Sequence, residues 1–152
     1  MKTFDVYNQF DVVPVKGKDV YIYDDFNNKY LDLYGGHAVI SIGHSEKKYV
    51  KNITNQLKNI GFYSNAVRNP LQDELSKEIN SQADLDNYKL FMCNSGAEAV
   101  ENALKLSSFN TGKKRIIAFK NSFHGRTSAA VAVTDNKYIN SELNKQHAGS
   151  YT

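Results

Sequence analysis

Tryptophan is absent from this 152-residue sequence, proline occurs twice and cysteine once. The single cysteine, Cys93, excludes a disulfide within the chain and fits a reducing cytoplasm, where we expect the protein to reside. No stretch approaches the roughly 18 consecutive apolar residues of a membrane helix. The first residues also lack the continuous apolar region of a secretory signal, so neither membrane insertion nor secretion is indicated.

Charge of one sign is not gathered anywhere in the chain. The formal net charge is +3, but the lysines are scattered instead of forming the basic stripe expected of a nucleic-acid-binding protein. Hydrophobic residues make up 41% and charged residues 23%, which favours one folded domain with a packed core over disorder. We therefore expect no nucleic-acid or membrane partner, and we assign no metal site.

The first part of the chain predicts a β-hairpin followed by a helix. Residues 20–23 and 29–33 are β-rich runs around a short polar loop, which is the pattern of a hairpin. Gly35 and Gly36 then break the pattern. Ser45 is expected to open a helix, because the apolar residues that follow it recur on one helical face. These residues are Tyr49, Val50, Ile53, Leu57 and Ile60.

The second part predicts a strand, a helix and a second strand. Residues 88–93 and 115–119 are short apolar runs that favour strands buried on both faces. A helix from residue 97 to about residue 109, ended by Gly112, would connect them as a parallel pair with a right-handed crossover. Residues 127–133 fit a helix or a strand, since periodicity does not separate the two. The fold class predicted is α/β.

A candidate anion-binding loop follows the first of these strands. Ser95 and Glu98 have the spacing of a capping box, and Gly96 and Ala97 leave the backbone accessible. Amides at a helix start lack internal partners and carry the positive end of the helix dipole, which favours phosphate. The sequence is neither a Walker A motif nor G-x-G-x-x-G, so an ordinary nucleotide is not indicated. A capped helix that binds nothing explains the same residues.

The second predicted strand leads to a polar loop on the same edge of the sheet. Phe123 could stack there on a planar ring, and Arg126 could clamp a carboxylate. Together with the phosphate loop, they indicate a flat phosphorylated cofactor and a carboxylate substrate. Taken singly, Phe123 also fits a core residue, Arg126 a surface residue and His124 a structural histidine.

Two motifs of this sequence resemble the paired signatures of one enzyme family. Ser95-Gly96-Ala97-Glu98-Ala99 and Phe123-His124-Gly125-Arg126-Thr127 are similar, in order and spacing, to motifs of class III (ornithine-type) pyridoxal-phosphate aminotransferases. The resemblance implies the N-terminal part of the fold-type I, aspartate aminotransferase-like fold. Residues 1–60 would be a small-domain segment with a β-hairpin and a helix. Residues 61–152 would begin the large cofactor-binding domain and its mainly parallel sheet.

The resemblance also implies a cofactor and the residues that hold it. Pyridoxal 5′-phosphate would be held at its phosphate by the amides of Gly96 and Ala97 with help from Ser95. Phe123 would stack on its ring, and Arg126 would bind the α-carboxylate of an amino-acid substrate. We assign no catalytic residue, because the family's Schiff-base lysine corresponds to a position beyond the end of this sequence. We therefore expect that the 152-residue chain does not transaminate alone.

Within the family, residues 60–65 and the Gly-Gly-His stretch at residue 35 most resemble members that act on N-acetylornithine. These members transfer its δ-amino group to 2-oxoglutarate in arginine biosynthesis, and they work as homodimers. Two alternatives stay open. The substrate could be another ω-amino acid, such as succinylornithine, ornithine or 4-aminobutyrate, or the chain could be a truncated, non-catalytic binding module. A sheet that stops after its first strands would also expose apolar surface, which predicts marginal stability or self-association.

Overall fold

The computed structural model describes residues 3–140, and the chain divides into two compact units between Asn69 and Pro70. The domain assignment made from the sequence, with its boundary after residue 60, stays a prediction, and its last part, residues 141–152, lies outside the described residues. Between residues 3 and 140, no helix is long and apolar enough to cross a membrane.

The first unit contains a three-stranded antiparallel sheet in the order β1-β2-β3. Its strands are β1 (Pro14–Lys18), β2 (Tyr21–Asp24) and β3 (Lys29–Leu31). The predicted hairpin is confirmed as the β2–β3 pair. Strand β1 was not predicted, because its sequence carries both a proline and a glycine. Pro14 is tolerated as its first residue, where the register is irregular and a missing ladder donor does little harm.

One carboxylate, that of Asp24, fixes the hairpin loop. It accepts hydrogen bonds from the amides of Phe26 and Asn28 at 3.0 and 2.7 Å. It also accepts from Asn28 Nδ2 at 2.9 Å and from the Tyr30 hydroxyl at 2.8 Å. Burial raises the pKa of Asp24, but these donors lower it by more, so that the pKa lies below its usual value.

The hairpin is followed by α1 (Gly35–Ala38), a single turn in which the backbone is left-handed. Its φ values are 56° at both Gly35 and Gly36, 61° at His37 and 59° at Ala38. Asp32 Oδ1 braces the entry to this turn by accepting from the Gly35 amide at 2.8 Å. Its other oxygen, Oδ2, lies 2.7 Å from His44 Nε2. The predicted break at the glycines is therefore a defined turn.

Helix α2 (Lys47–Asn59) begins after Glu46, whose carboxylate accepts from the amides of Lys48 and Tyr49 at 3.0 and 2.6 Å. The prediction that Ser45 opens this helix is wrong, because the Ser45 hydroxyl instead donates to the Gly17 carbonyl at 2.8 Å. A long-range contact thus takes the serine, and the next residue caps the helix.

The second unit contains α3 (Pro70–Ala83), α4 (Gly96–Thr111) and α5 (Ser128–Ala132). The predicted α4 is confirmed, as is its end at Gly112, which adopts the left-handed φ of 67° typical of a C-terminal cap. The ambiguous segment around residue 130 is a helix. Among the described residues, the buried apolar side chains are Ala118, Ala130, Val131, Ala132 and Val133, and most of them belong to this segment.

The two predicted parallel strands are not formed among the described residues. Residues 88–93 and 115–119 lie outside every strand, and Phe91 and Phe119 are 67% and 85% exposed. A parallel strand requires ladder partners at its edges and helices over its faces. Residues 3–140 provide no ladder partner to these two segments, so neither forms a strand despite its apolar composition.

Large apolar side chains are exposed in both units, as expected from the sequence. The apolar face predicted for α2 is exposed, with Val50 at 47%, Ile53 at 46% and Leu57 at 63%. The periodicity therefore identified the helix and its apolar face correctly. No other part of residues 3–140 covers that face. Stability and association remain predictions.

Candidate functional site

Two side chains cap the start of α4, with the return bond of Glu98 going to the Asn94 amide and not to the amide of the cap residue Ser95. Ser95 Oγ accepts from the Glu98 amide at 3.2 Å, and Glu98 Oε2 accepts from the Asn94 amide at 2.6 Å. The first hydrogen bond of the helix runs from the Ala99 amide to the Ser95 carbonyl at 3.0 Å. Within residues 3–140, the amides of Gly96 and Ala97 donate to no protein acceptor, so the helix start offers two donors to a ligand.

A cavity of about 460 Å³ lies at this helix start. One wall is formed by Ser95, Gly96, Ala97 and Val100, and the other by residues 123–127. All five site residues named from the sequence line it, including Phe123 and Arg126. The structure therefore brings the two predicted loops together, even though the sheet that was expected to align them is not formed among the described residues.

Gly125 is the point at which the second loop touches α4. It is buried, its φ is 140°, and a β-carbon there would lie 2.7 Å from the Ala97 Cβ and 3.1 Å from the Ala130 Cβ. Only glycine allows this approach without displacing its neighbours. The backbone of the loop therefore packs directly against the first turn of α4.

Thr134 holds the second loop from its other side. Its buried hydroxyl accepts from the His124 amide at 2.8 Å and donates to the Ala130 carbonyl at 2.9 Å. Asp135 adds two contacts, because its carboxylate accepts from the Asn121 amide at 2.7 Å and its own amide donates to the Ser122 carbonyl at 3.0 Å. The loop is therefore fixed at both ends by polar contacts.

Glu101 joins α4 to the start of α5. Its Oε1 accepts from the Thr127 hydroxyl at 2.7 Å and from the amides of Ala129 and Ala130 at 2.8 and 3.0 Å. Burial raises the pKa of the Glu101 carboxyl, but the hydrogen bonds from Ala130, Thr127 and Ala129 lower it by more. The side chain is consequently held in its charged form.

Phe123 and Arg126 lie side by side at the cavity. The Arg126 Cζ is 5.3 Å from the centre of the Phe123 ring, within the range of a cation–π contact. Phe123 is 58% exposed, so its side chain is accessible to a ligand. His124 is half-buried, and its backbone amide donates to the Thr134 hydroxyl. The alternative that Phe123 is a core residue is therefore not supported.

These features fit a flat phosphorylated ligand. The two amides lie at the start of a 16-residue helix, where an anion is bound favourably. A β-carbon on Gly96 would meet nothing within 4 Å, so a ligand can approach the backbone there. An exposed aromatic ring and a guanidinium complete the cavity. The nearby carboxylates of Glu98 and Glu101 are already engaged in hydrogen bonds.

Sequence reasoning did not find the parts played by Glu101, Thr134 and Asp135. Nothing in the local sequence around Glu101 shows that its partners lie 26 to 29 residues further along the chain. Thr134 and Asp135 carry no recognisable pattern. The only available signal was their place directly after an apolar helix that follows the second motif.

Comparison with known proteins defines the class. The family model "Aminotransferase class-III" matches residues 4–151, and the chain belongs to this family. The fold prediction is confirmed by similarity to the taurine:2-oxoglutarate aminotransferase of Bifidobacterium kashiwanohense in complex with PLP and glutamate. That similarity has a TM-score of 0.84 at 22% identity and covers 99% of this chain and 35% of that one.

Two curated relatives show the range within the family. The [LysW]-aminoadipate semialdehyde/glutamate semialdehyde transaminase of Sulfurisphaera tokodaii is 40% identical over 137 residues, covering 90% of this chain and 35% of the relative. The acetylornithine aminotransferase of Archaeoglobus fulgidus is 41% identical over 128 residues, covering 84% of this chain and 34% of the relative. The chain thus spans about a third of the length of these relatives.

Proposed function

We propose that this chain supplies the phosphate-, ring- and carboxylate-binding part of a pyridoxal-phosphate-dependent aminotransferase. The observation that carries the proposal is that one cavity is lined by Ser95, Gly96, Ala97, Phe123 and Arg126 together. Membership of the class III family supports the reaction type. The homodimeric state expected from the resemblance and the cytoplasmic location expected from the single cysteine stay predictions.

Each residue of the cavity would have a separate task. The amides of Gly96 and Ala97 would bind the cofactor phosphate, with the helix start stabilising its charge. The Ser95 side chain would keep the first turn in the conformation that presents these amides. Phe123 would lie against the cofactor ring, and Arg126 would bind a substrate carboxylate. The cofactor itself, when bound, supplies the electron-withdrawing ring that allows an amino group to pass between carbon skeletons.

The substrates we propose are N-acetylornithine and 2-oxoglutarate, with N-acetylglutamate 5-semialdehyde and glutamate as products. The similarity to the acetylornithine aminotransferase of A. fulgidus supports this choice. A second candidate is a [LysW]-linked semialdehyde of the kind named for the S. tokodaii relative, because that protein is about equally similar. Succinylornithine, ornithine and 4-aminobutyrate also remain candidates, because Arg126 offers only carboxylate recognition.

Calorimetric titration of the 152-residue chain with pyridoxine 5′-phosphate tests the proposed site. This compound has the cofactor's ring and phosphate but no aldehyde, so it does not react with surface lysines. We expect saturable binding with one ligand per chain, and much weaker binding of pyridoxine, which lacks the phosphate. Equal affinity for the two, or no binding of either, would contradict the proposal.

A second experiment separates binding from catalysis. The chain is incubated with pyridoxal phosphate, reduced with borohydride and weighed by intact mass spectrometry. Since no lysine of this sequence matches the family's catalytic position, we expect no stoichiometric single-site adduct and no turnover of N-acetylornithine. Turnover by the purified 152-residue chain would overturn that expectation, whereas binding without turnover is what the non-catalytic alternative also predicts. A panel of amino donors, given to a longer form of the protein that does turn over, would then choose among the substrates.

A further inference from the structure

The two walls of the cavity come from parts of the chain that are distant in sequence. Ser95–Ala97 belongs to the start of α4, whereas Phe123 and Arg126 precede α5. A hydrophobic strand pair that would align them is not formed within residues 3–140. Their relative position must therefore depend on direct contacts between α4 and the segment at α5.

Glu101 supplies the polar part of that contact. The cap residue of α5, Thr127, makes no side-chain capping bond to its own helix. Amides in the first turn of a helix have no acceptor within that helix. In α5, the amides of Ala129 and Ala130 donate instead to Glu101 Oε1. The Thr127 hydroxyl donates to the same oxygen. One side chain of α4 thus replaces the missing cap and determines where α5 begins.

This cap is next to the ligand-facing residues. Thr127 directly follows Arg126, and Arg126 contacts the Phe123 ring. A shift of the α5 start away from α4 would therefore carry both side chains away from the amides of Gly96 and Ala97. The amides themselves would stay in place, because the capping bonds of Ser95 and Glu98 are local to the start of α4.

We propose that Glu101 is a positioning residue that holds the ring- and carboxylate-binding wall against the phosphate-binding wall through Thr127 and the start of α5. The inference rests on the proposed function and deepens it. Glu101 would not touch the ligand. Its effect would be selective, because it would govern binding of a phosphate that carries a ring and leave binding of free phosphate unchanged.

The test compares two ligands on matched variants of the 152-residue chain. Affinity for pyridoxine 5′-phosphate is measured by calorimetry, and affinity for inorganic phosphate by phosphorus NMR titration. We expect Glu101→Ala to weaken binding of pyridoxine 5′-phosphate by about tenfold or more, since three hydrogen bonds to one charged oxygen are lost. Inorganic phosphate should bind as it does to the unmodified chain.

Two further variants keep the inference testable where Glu101→Ala fails to fold. Glu101→Gln retains an oxygen that can accept the same three donors, so it should restore most of the affinity. Thr127→Val removes only one donor and should give a loss of affinity between those of the glutamine and alanine variants. The control is Glu74→Ala, which makes the same chemical change at an exposed position of α3 and should leave the affinity for both ligands unchanged.

Each result has one meaning. Selective loss of pyridoxine 5′-phosphate binding, with rescue by glutamine, supports the inference. Unchanged binding in Glu101→Ala, or equal loss of both ligands, overturns it, because the side chain is then either dispensable or needed for the whole unit. If the unmodified chain binds neither ligand, the proposed function itself fails.

Discussion

Gly125 lies so close to Ala97 that a β-carbon at position 125 would stand 2.7 Å from the Ala97 Cβ. The contact joins the loop that carries Phe123 and Arg126 to the first turn of α4. Since both partners are small, the two walls of the cavity meet through their backbones. The width of the site at this point is therefore set by the absence of a side chain.

Replacing Gly125 with alanine should separate these walls. The new methyl group would collide with Ala97, and the φ of 140° is unfavourable for any residue with a β-carbon. We expect a loss of about 1–3 kcal/mol in the free energy of unfolding, measured by urea denaturation. Gly112→Ala is the matched control, because its left-handed φ of 67° is also strained but a β-carbon there meets nothing within 4 Å. If both variants lose the same free energy of unfolding, the collision of the new methyl group with Ala97 adds no cost to the backbone strain.

Gly96→Ala should separate binding from stability. A β-carbon at this position meets nothing within 4 Å, and the residue is the first of α4, so the thermal midpoint should not fall. Affinity for inorganic phosphate should decrease, because the methyl group hinders an anion that approaches the Gly96 amide. Phosphorus NMR titration measures the change. Unaltered phosphate affinity would place the anion elsewhere.

Ser95→Ala removes the cap of α4. The Glu98 amide loses its acceptor, and the expected cost is about 1 kcal/mol of stability, measured as a shift of the urea midpoint. Ser95→Asp provides the control, because aspartate also caps helices well and should restore stability. Its negative charge should nevertheless weaken phosphate binding. Phosphate affinity in Ser95→Asp equal to that of the unmodified chain would argue against an anion site at this helix start.

Stability at acidic pH should depend on Asp32. The hydrogen bond to His44, followed by those from the Gly35 and Tyr34 amides, holds the pKa of this carboxyl below its usual value of about 3.9. Its contribution is therefore complete above that value and is lost as the pH falls through the lower pKa of the folded state. Asp32→Asn should flatten the acid limb of a plot of thermal midpoint against pH. A variant curve parallel to that of the unmodified chain would contradict this.

The parts of the fold that could be predicted from the sequence depend on contacts between near neighbours. Ser95 and Glu98 are three residues apart, and Ser95 caps the helix through the Glu98 amide as the sequence indicates. Residues 88–93 have the composition of a buried strand, but strand formation depends on partners that composition does not specify. Glu101 bonds to Thr127, which lies 26 residues further along the chain, and no local pattern encodes such a pairing.

Asp24 has a consequence for the order in which the chain folds. Its four hydrogen bonds reach no further than Tyr30, six residues away, so they can form before any distant segment arrives. A loop this short loses little chain entropy on closure, and hairpins of this kind form within microseconds. We expect the β2–β3 pair to be present early in folding and to serve as the template to which β1 adds. Pulse-labelled hydrogen exchange would detect this order, with the Asn28 amide protected before those of β1.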